Sequence, residues 1–206
     1  MPVPSARDLT IVAVGFVVLV ASTLAALPHS VSDVELAVFG LVNDAGEVPR
    51  AVAWAPMQLG NVVAVPLTAL VALATGRVRL AVEMVSAGML AWVVAKVVKD
   101  RVERGRPGAL VDDAVLRDAH AGGLGFPSGH AAVATALAFV VWPHLNRGGR
   151  TALLVLAALV GLLRVYVGAH LPLDITGGIG LGLVSAGMVR LVPGWRRNDR
   201  EAMVDR

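Results

Sequence analysis

Cysteine is absent from the 206 residues, so neither a disulfide framework nor a thiolate metal site can form. Charge is also scarce. Asp, Glu, Lys and Arg together make up 16% of the chain, against about a quarter in ordinary soluble domains. Aromatic residues are 4%, with a single tyrosine. What fills the space is apolar: 56% of residues are hydrophobic and the mean hydropathy is +0.73. A disordered chain needs the opposite composition. A water-soluble globule of this size could not hide so much apolar surface in one core. The solvent implied is a bilayer. The net charge of +3 is too small to point to nucleic acid, and no nucleic-acid partner is expected.

Charge-free runs mark out the expected membrane spans. A span takes about 20 apolar residues. Six fit, at about 9–28, 56–76, 79–98, 128–146, 151–169 and 173–192. The expected fold is an all-α integral membrane protein, a six-transmembrane helix bundle forming one domain over 1–206, with its site at one membrane face. The first run has Arg7 ahead of it and Ala25 and Ala26 near its end, features shared with cleaved leaders, but its apolar core is long and a retained span is expected. The charged segment 33–50 encloses a short apolar patch, Leu36 to Val42, expected to lie at the interface. The short basic connectors at Arg77, Arg79 and at Arg147, Arg150 put both termini on the cytoplasmic side.

Charges at span edges are costly and are functional candidates by default. Lys99 and Arg106 follow span three. His130 opens span four, Arg164 and His170 close span five, and Asp174 opens span six. Connectors 3–4 and 5–6 emerge on the same side, so these six groups converge on one face, expected to be extracytoplasmic. Three cations, two imidazoles and a carboxylate suit an anion and proton transfer. Lys96, Arg101 and Arg104 read as cations that snorkel to headgroups. Tyr166 reads as an interfacial anchor, Glu83 as a helix-face partner of Arg79, and His29, His120 and His144 as surface groups. His170 and Asp174 could alternatively be two metal ligands, but the surrounding cations would repel a metal and attract an anion.

Three patterns sharpen the picture: Lys99-Asp-Arg-Val-Glu-Arg-Gly-Arg106-Pro107, then Phe126-Pro127-Ser128-Gly129-His130, then Arg164-Val-Tyr-Val-Gly-Ala-His170-Leu-Pro-Leu-Asp174. Together they resemble the tripartite signature of the type-2 phosphatidic acid phosphatase superfamily, K-x6-R-P, P-S-G-H and S-R-x5-H-x3-D, and specifically its bacterial membrane lipid phosphatase branch. Order, spacing and membrane setting match. One position departs: Leu163 stands where the family has serine, which bears on fine substrate contacts more than on the chemistry.

The residue types suit phosphoryl transfer, which is largely positioning and charge stabilisation. Lys99, Arg106 and Arg164 can hold non-bridging phosphate oxygens. Pro107 restricts the backbone beside Arg106, and Pro127 precedes Ser128 as the other structural support. Ser128 stands where a helix N-cap would, ahead of free N–H groups, and Gly129 permits close backbone approach. The resemblance implies that His170 is the nucleophile, forming a phosphohistidine, that Asp174 fixes its tautomer, and that His130 protonates the leaving oxygen and then activates water. It implies no cofactor and no metal. The expected partner is a membrane lipid substrate: a polyprenyl pyrophosphate such as undecaprenyl pyrophosphate, phosphatidic acid or phosphatidylglycerol phosphate. The setting implied is a bacterial inner membrane. Two other readings share the pocket, a phosphotransferase with an acceptor hydroxyl and a non-catalytic lipid-phosphate binding or transport protein. Oligomeric state is not readable from the sequence.

Overall fold

The computed structural model describes residues 6–117 and 119–192. Regular structure among them is helical, with one isolated antiparallel bridge between Gly105 and Leu124. The helices are α1 Ala6–Ala26, α2 Asp33–Asn43, α3 Arg50–Met57, α4 Ala64–Ala74, α5 Val78–Val102, α6 Pro107–Leu110, α7 Gly129–Val141, α8 Arg147–Tyr166 and α9 Pro172–Leu191. A bilayer cannot hydrogen-bond an exposed peptide group, so helices that satisfy their own backbone are the expected solution.

Side chains such as Phe16, Val17, Leu67, Val71 and Val155 point outward, which is where much of the apolar composition goes. The interior is built from small residues. Ala87, Ala91, Ala132, Ala136 and Ala186 are fully buried in the main core. Without a hydrophobic drive between helices in lipid, association rests on close packing, and small side chains permit it. α9 is the hub. Its Gly180 lies against the backbone of α1 at Gly15 and Leu19, while Gly178 and Gly182 lie against the carbonyls of Ser128 and Ala132 on α7. A Cβ on Gly178 or Gly182 would sit 2.5 Å from those carbonyl oxygens.

Among the described residues four helices are long and apolar enough to cross a membrane: α1, α5, α8 and α9. A fifth candidate is the pair Arg50–Gly60 and Ala64–Ala74, bent by 71°. The expected continuous span at 56–76 is therefore corrected to a bent helix pair, the geometry of a broken span or of a re-entrant loop. At the break a short 3-10 turn, Gln58–Gly60, brings Gly60 so close to α7 that a Cβ would lie 2.6 Å from the His130 carbonyl oxygen. The expected span at 128–146 folds as a helix of only 13 residues followed by a 3-10 turn at Trp142–His144. At 1.5 Å per residue, α7 covers about 20 Å, short of a hydrocarbon core of roughly 30 Å. Eight of its residues in a row, Ala131 to Ala138, are buried. Its apolar run is thus a core pattern, which periodicity alone does not separate from a lipid-facing one.

The two ends of the bundle are distinguishable. Asp8 near the start of α1 pairs with Arg190 near the end of α9 at 3.1 Å, and Arg79 pairs with Glu83 at 2.9 Å as expected. At the other end of α1, Ala26 packs with Val102 and Phe126 beside the motif segments. The motif residues therefore gather at the end of the bundle opposite the start of α1 and the end of α9.

Candidate active site

Local backbone rules explain the motif spacings. α8 ends in a Schellman motif: Gly168 takes φ +72°, its N–H donates to the Val165 carbonyl, and the Ala169 N–H donates to the Arg164 carbonyl at 3.0 Å. His170 N–H donates to the same carbonyl at 3.2 Å. The chain thus doubles back and sets His170 beside Arg164. α9 then opens with Leu171 as N-cap, Pro172 in the first turn and Asp174 at the third helical position. Asp174 Oδ2 accepts the Leu171 N–H at 2.9 Å and lies 3.4 Å from His170 Nδ1. R-x5-H is the length of a helix C-cap, and H-x3-D is the length of a helix N-cap.

The first motif reaches the second through a small backbone clasp. α5 ends at Glu103 in the left-handed region, φ 54°. The Gly105–Leu124 bridge follows, and Gly125 N–H donates to the Arg104 carbonyl at 2.7 Å. Lys99 Nζ donates to the Leu124 and Gly125 carbonyls at 3.0 and 2.6 Å. Arg106 is the N-cap of α6, with buried Pro107 next to it. Buried Pro127 leads into Ser128, whose N–H donates to the Asp174 carbonyl at 2.8 Å. Ser128 Oγ accepts from Ala131 N–H, so it caps α7, as the motif suggested. Gly129 faces open space, with no atom within 4 Å of a Cβ built on it.

The structure brings the expected residues together. Lys99, Arg106, Arg164 and His170 all lie within electrostatic reach of His130, and Asp174 within reach of Lys99. Arg106 and Arg164 each keep a buried Nε without a hydrogen-bond partner among the described residues, donors placed to meet an anion. They border a cavity of about 550 Å³ whose further walls include Trp54, Met57, Arg117 and His120. That volume lies in the range of small-ligand sites. Leu163, at the position of the family serine, packs with Ala53, Met57 and Tyr166 between α3 and α8. Burial holds the His170 imidazole below its ordinary pKa of 6.5, and Arg164, Lys99 and Arg106 push the same way. The neutral form of the ring is thereby favoured. Among the described residues no group of three or more His, Cys, Asp or Glu side chains could hold a metal ion.

The PAP2 superfamily model matches residues 78–198, more than half of the chain. The chain belongs to the PAP2 superfamily. A curated relative in Escherichia coli (strain K12), YbjG, provisionally named an undecaprenyl-diphosphatase, is 43% identical over 67 residues, which is 32% of this chain and 33% of that protein. Phosphatidylglycerophosphatase B of Bacillus subtilis (strain 168) is 37% identical over 99 residues, 43% of this chain and 46% of that protein. The matches thus span less than half the length of these curated relatives. Among solved structures, LpxE of Aquifex aeolicus aligns with a TM-score of 0.66 and 30% identity, over 76% of this chain and 93% of that one. A Bacillus subtilis transmembrane PAP2-type phosphatidylglycerolphosphate phosphatase aligns at 0.62 and 22% identity, over 84% and 93%, a likeness of fold. With its apolar helices, the chain is a membrane protein of this superfamily.

Several side chains that organise this face escaped the sequence reading. Arg104 is not a snorkelling cation. It is wholly buried, with Glu35 and Asp174 as partners. Within segment 33–50, α2 inserts Glu35 and Asn43 among the site elements, while its Leu36, Val38 and Leu41 stay exposed. Asn43 is wholly buried, donates to the Val115 and Tyr166 carbonyls at 3.0 Å and accepts the Val115 N–H at 2.8 Å. Tyr166 is also corrected from anchor to core. Its hydroxyl accepts the Val48 N–H and donates to the Gly46 carbonyl, and the Arg117 guanidinium lies 4.2 Å from its ring centre. The only advance signal was acidic residues flanking an apolar stretch too short to span.

Proposed function

We propose that the protein is a lipid phosphatase that hydrolyses the phosphate monoester or pyrophosphate of a membrane lipid through a phosphohistidine. The observation that carries this reading is His170, a buried neutral imidazole with Nδ1 on Asp174, beside two arginines with unused Nε donors. With Nδ1–H donated to Asp174, Nε2 keeps its lone pair for phosphorus. Nε2 attacks, the bond from phosphorus to the leaving oxygen breaks, and that oxygen takes a proton from His130. Water then attacks the phosphohistidine, giving its proton back to His130. Inorganic phosphate leaves and His170 returns neutral. Arg106, Arg164, Lys99 and the α7 N-terminus at Ser128 and Gly129 hold the equatorial oxygens, so no step calls for a metal.

The reading includes a single domain in a bacterial inner membrane, with α7 serving within a six-segment bundle. The basic connectors support cytoplasmic termini, which puts the site on the outer face. The named relatives support lipid substrates of the polyprenyl pyrophosphate and phosphatidylglycerol phosphate types. Purified protein given a panel of such lipids should release inorganic phosphate, with or without chelator. His170→Ala should abolish release, and an acid-labile, base-stable phosphoenzyme should form only when His170 is present. Wild-type turnover by His170→Ala, or activity lost to chelator, would sink the mechanism.

A further inference from the structure

Two carboxylates share one guanidinium behind His170. Glu35 Oε2 accepts from Arg104 Nη2 at 2.6 Å, and its Oε1 accepts from Arg104 Nη1 at 3.1 Å. Arg104 Nη1 also donates to Asp174 Oδ1, at a longer 3.2 Å. All three side chains are buried, and Arg104 and Asp174 are wholly so. Glu35 Oε1 accepts the Leu173 N–H at 3.0 Å as well, so α2 also holds the first turn of α9 directly, one residue before Asp174. Glu35 lies outside the stretch that matches the superfamily model.

The charges decide what this arrangement does. An arginine paired with Asp174 alone would cancel the charge that His170 needs. In a buried site a few ångströms across, that cancellation is large. The geometry gives the guanidinium first to Glu35, through two bonds of which one is the shortest in the group. With both carboxylates ionised, one cation against two anions leaves a net negative charge, and the single longer bond to Asp174 leaves more of it there, with Oδ2 toward His170. The other charged groups around His170 are cationic: Lys99 from α5, Arg106 at the start of α6 and Arg164 from α8. Asp174 is thus the anion that must offset them when the ring gains positive character on phosphorylation.

We propose that Glu35 and Arg104 are positioning residues for the reaction: Glu35 neutralises Arg104, so that Arg104 orients Asp174 without quenching its charge toward His170. The inference rests on the assignment of His170 as nucleophile.

The test uses the full chain in detergent or nanodiscs, with Glu35→Gln, Arg104→Gln and the double variant. The first readout needs no substrate: the ¹⁵N and ¹H shifts of the His170 ring report its Nδ1–H tautomer and the strength of its bond to Asp174. Glu35→Gln leaves Arg104 unbalanced, so the Nδ1 proton should move upfield and the tautomer preference weaken. In turnover, kcat should fall about tenfold or more while KM stays within about twofold, the pattern of a lost transition-state effect. Removing Arg104 as well restores the charge balance, so the double variant should regain part of both signals, a coupling that a purely structural pair would not show. Wild-type ring shifts and kcat in Glu35→Gln, or a double variant as poor as the product of the singles, would overturn the proposal. Should Glu35→Gln alone fail to fold, the double variant decides: a wild-type-like ring signature supports the charge balance, and a lost one refutes it. If the wild-type protein released no phosphate from any lipid, the proposed function would fail, and the ring measurement would still judge this inference.

Discussion

Ser128 and Asp174 are tied through the main chain: the Ser128 N–H donates to the Asp174 carbonyl at 2.8 Å, while the Asp174 side chain caps its own helix and meets His170. The two helix N-termini that carry His130 and Asp174 are thereby locked at the atoms nearest the chemistry. The Ser128 hydroxyl is a separate device, used on Ala131 N–H at a long 3.4 Å.

Ser128→Ala should therefore leave the interhelix bond in place and remove only the cap. A lost N-cap costs about 1 kcal/mol. A small fall in the thermal midpoint in detergent is expected, together with a larger proportional fall in phosphate release, because the proposed mechanism has the α7 N–H groups of the capped turn meet the anion. Unchanged activity beside a lowered midpoint would show that the cap is structural only.

Two glycines should respond in opposite ways. Gly129→Ala has room for its methyl, since nothing lies within 4 Å, so stability should hold while phosphate binding weakens. Gly178→Ala puts a methyl 2.5 Å from the Ser128 carbonyl oxygen, and α7 must move away from α9. Overpacking of this kind costs roughly 1–3 kcal/mol, and the shift also parts His130 from His170. Thermal midpoints and kcat/KM measured side by side check the contrast. A destabilised Gly129→Ala with intact activity would reverse it.

Much of the candidate site was legible because its spacing is local backbone chemistry. A Schellman turn fixes Arg164 to His170, a helix N-cap fixes His170 to Asp174, and both lie within one short stretch of chain. Arg104 was not legible, because what keeps it buried is Glu35, 69 residues away, and an arginine near a span edge has a simpler local explanation. The expected spans at 56–76 and 128–146 differ for a related reason. α7 is apolar and buried by its neighbours, and at the break before α4 Gly60 lies against the His130 carbonyl. Neither fact leaves a mark on hydropathy.

Asn43→Ala should test how far α2 holds the site face. The side-chain amide serves the Val115, Val165 and Tyr166 carbonyls, and its oxygen accepts the Val115 N–H. Truncation strands buried backbone groups at about 1–3 kcal/mol each where water cannot replace the partner. The thermal midpoint should drop markedly, and proteolysis should open the 44–50 and 111–117 segments first. A midpoint equal to wild type would mean that α2 is held by its other contacts alone.

The depressed pKa of His170 has a sign that experiment can read. Burial comes first among its causes, followed by Arg164, Lys99 and Arg106, and all four disfavour the imidazolium. The proposed nucleophile should stay unprotonated well below 6.5, so the acid limb of kcat/KM from this group should fall below that pH. Stability moves with it. Below 6.5 the unfolded chain binds a proton at this position that the folded chain refuses, so folding weakens as pH drops through that range, until the folded pKa is reached. Replacing the titrating ring by His170→Gln should flatten that part of the stability–pH curve while abolishing phosphate release. An acid limb at or above 6.5, matched by a titration of the His170 ring at the same pH in the NMR spectrum, would show that the ring is better solvated, or better balanced by Asp174, than its burial implies.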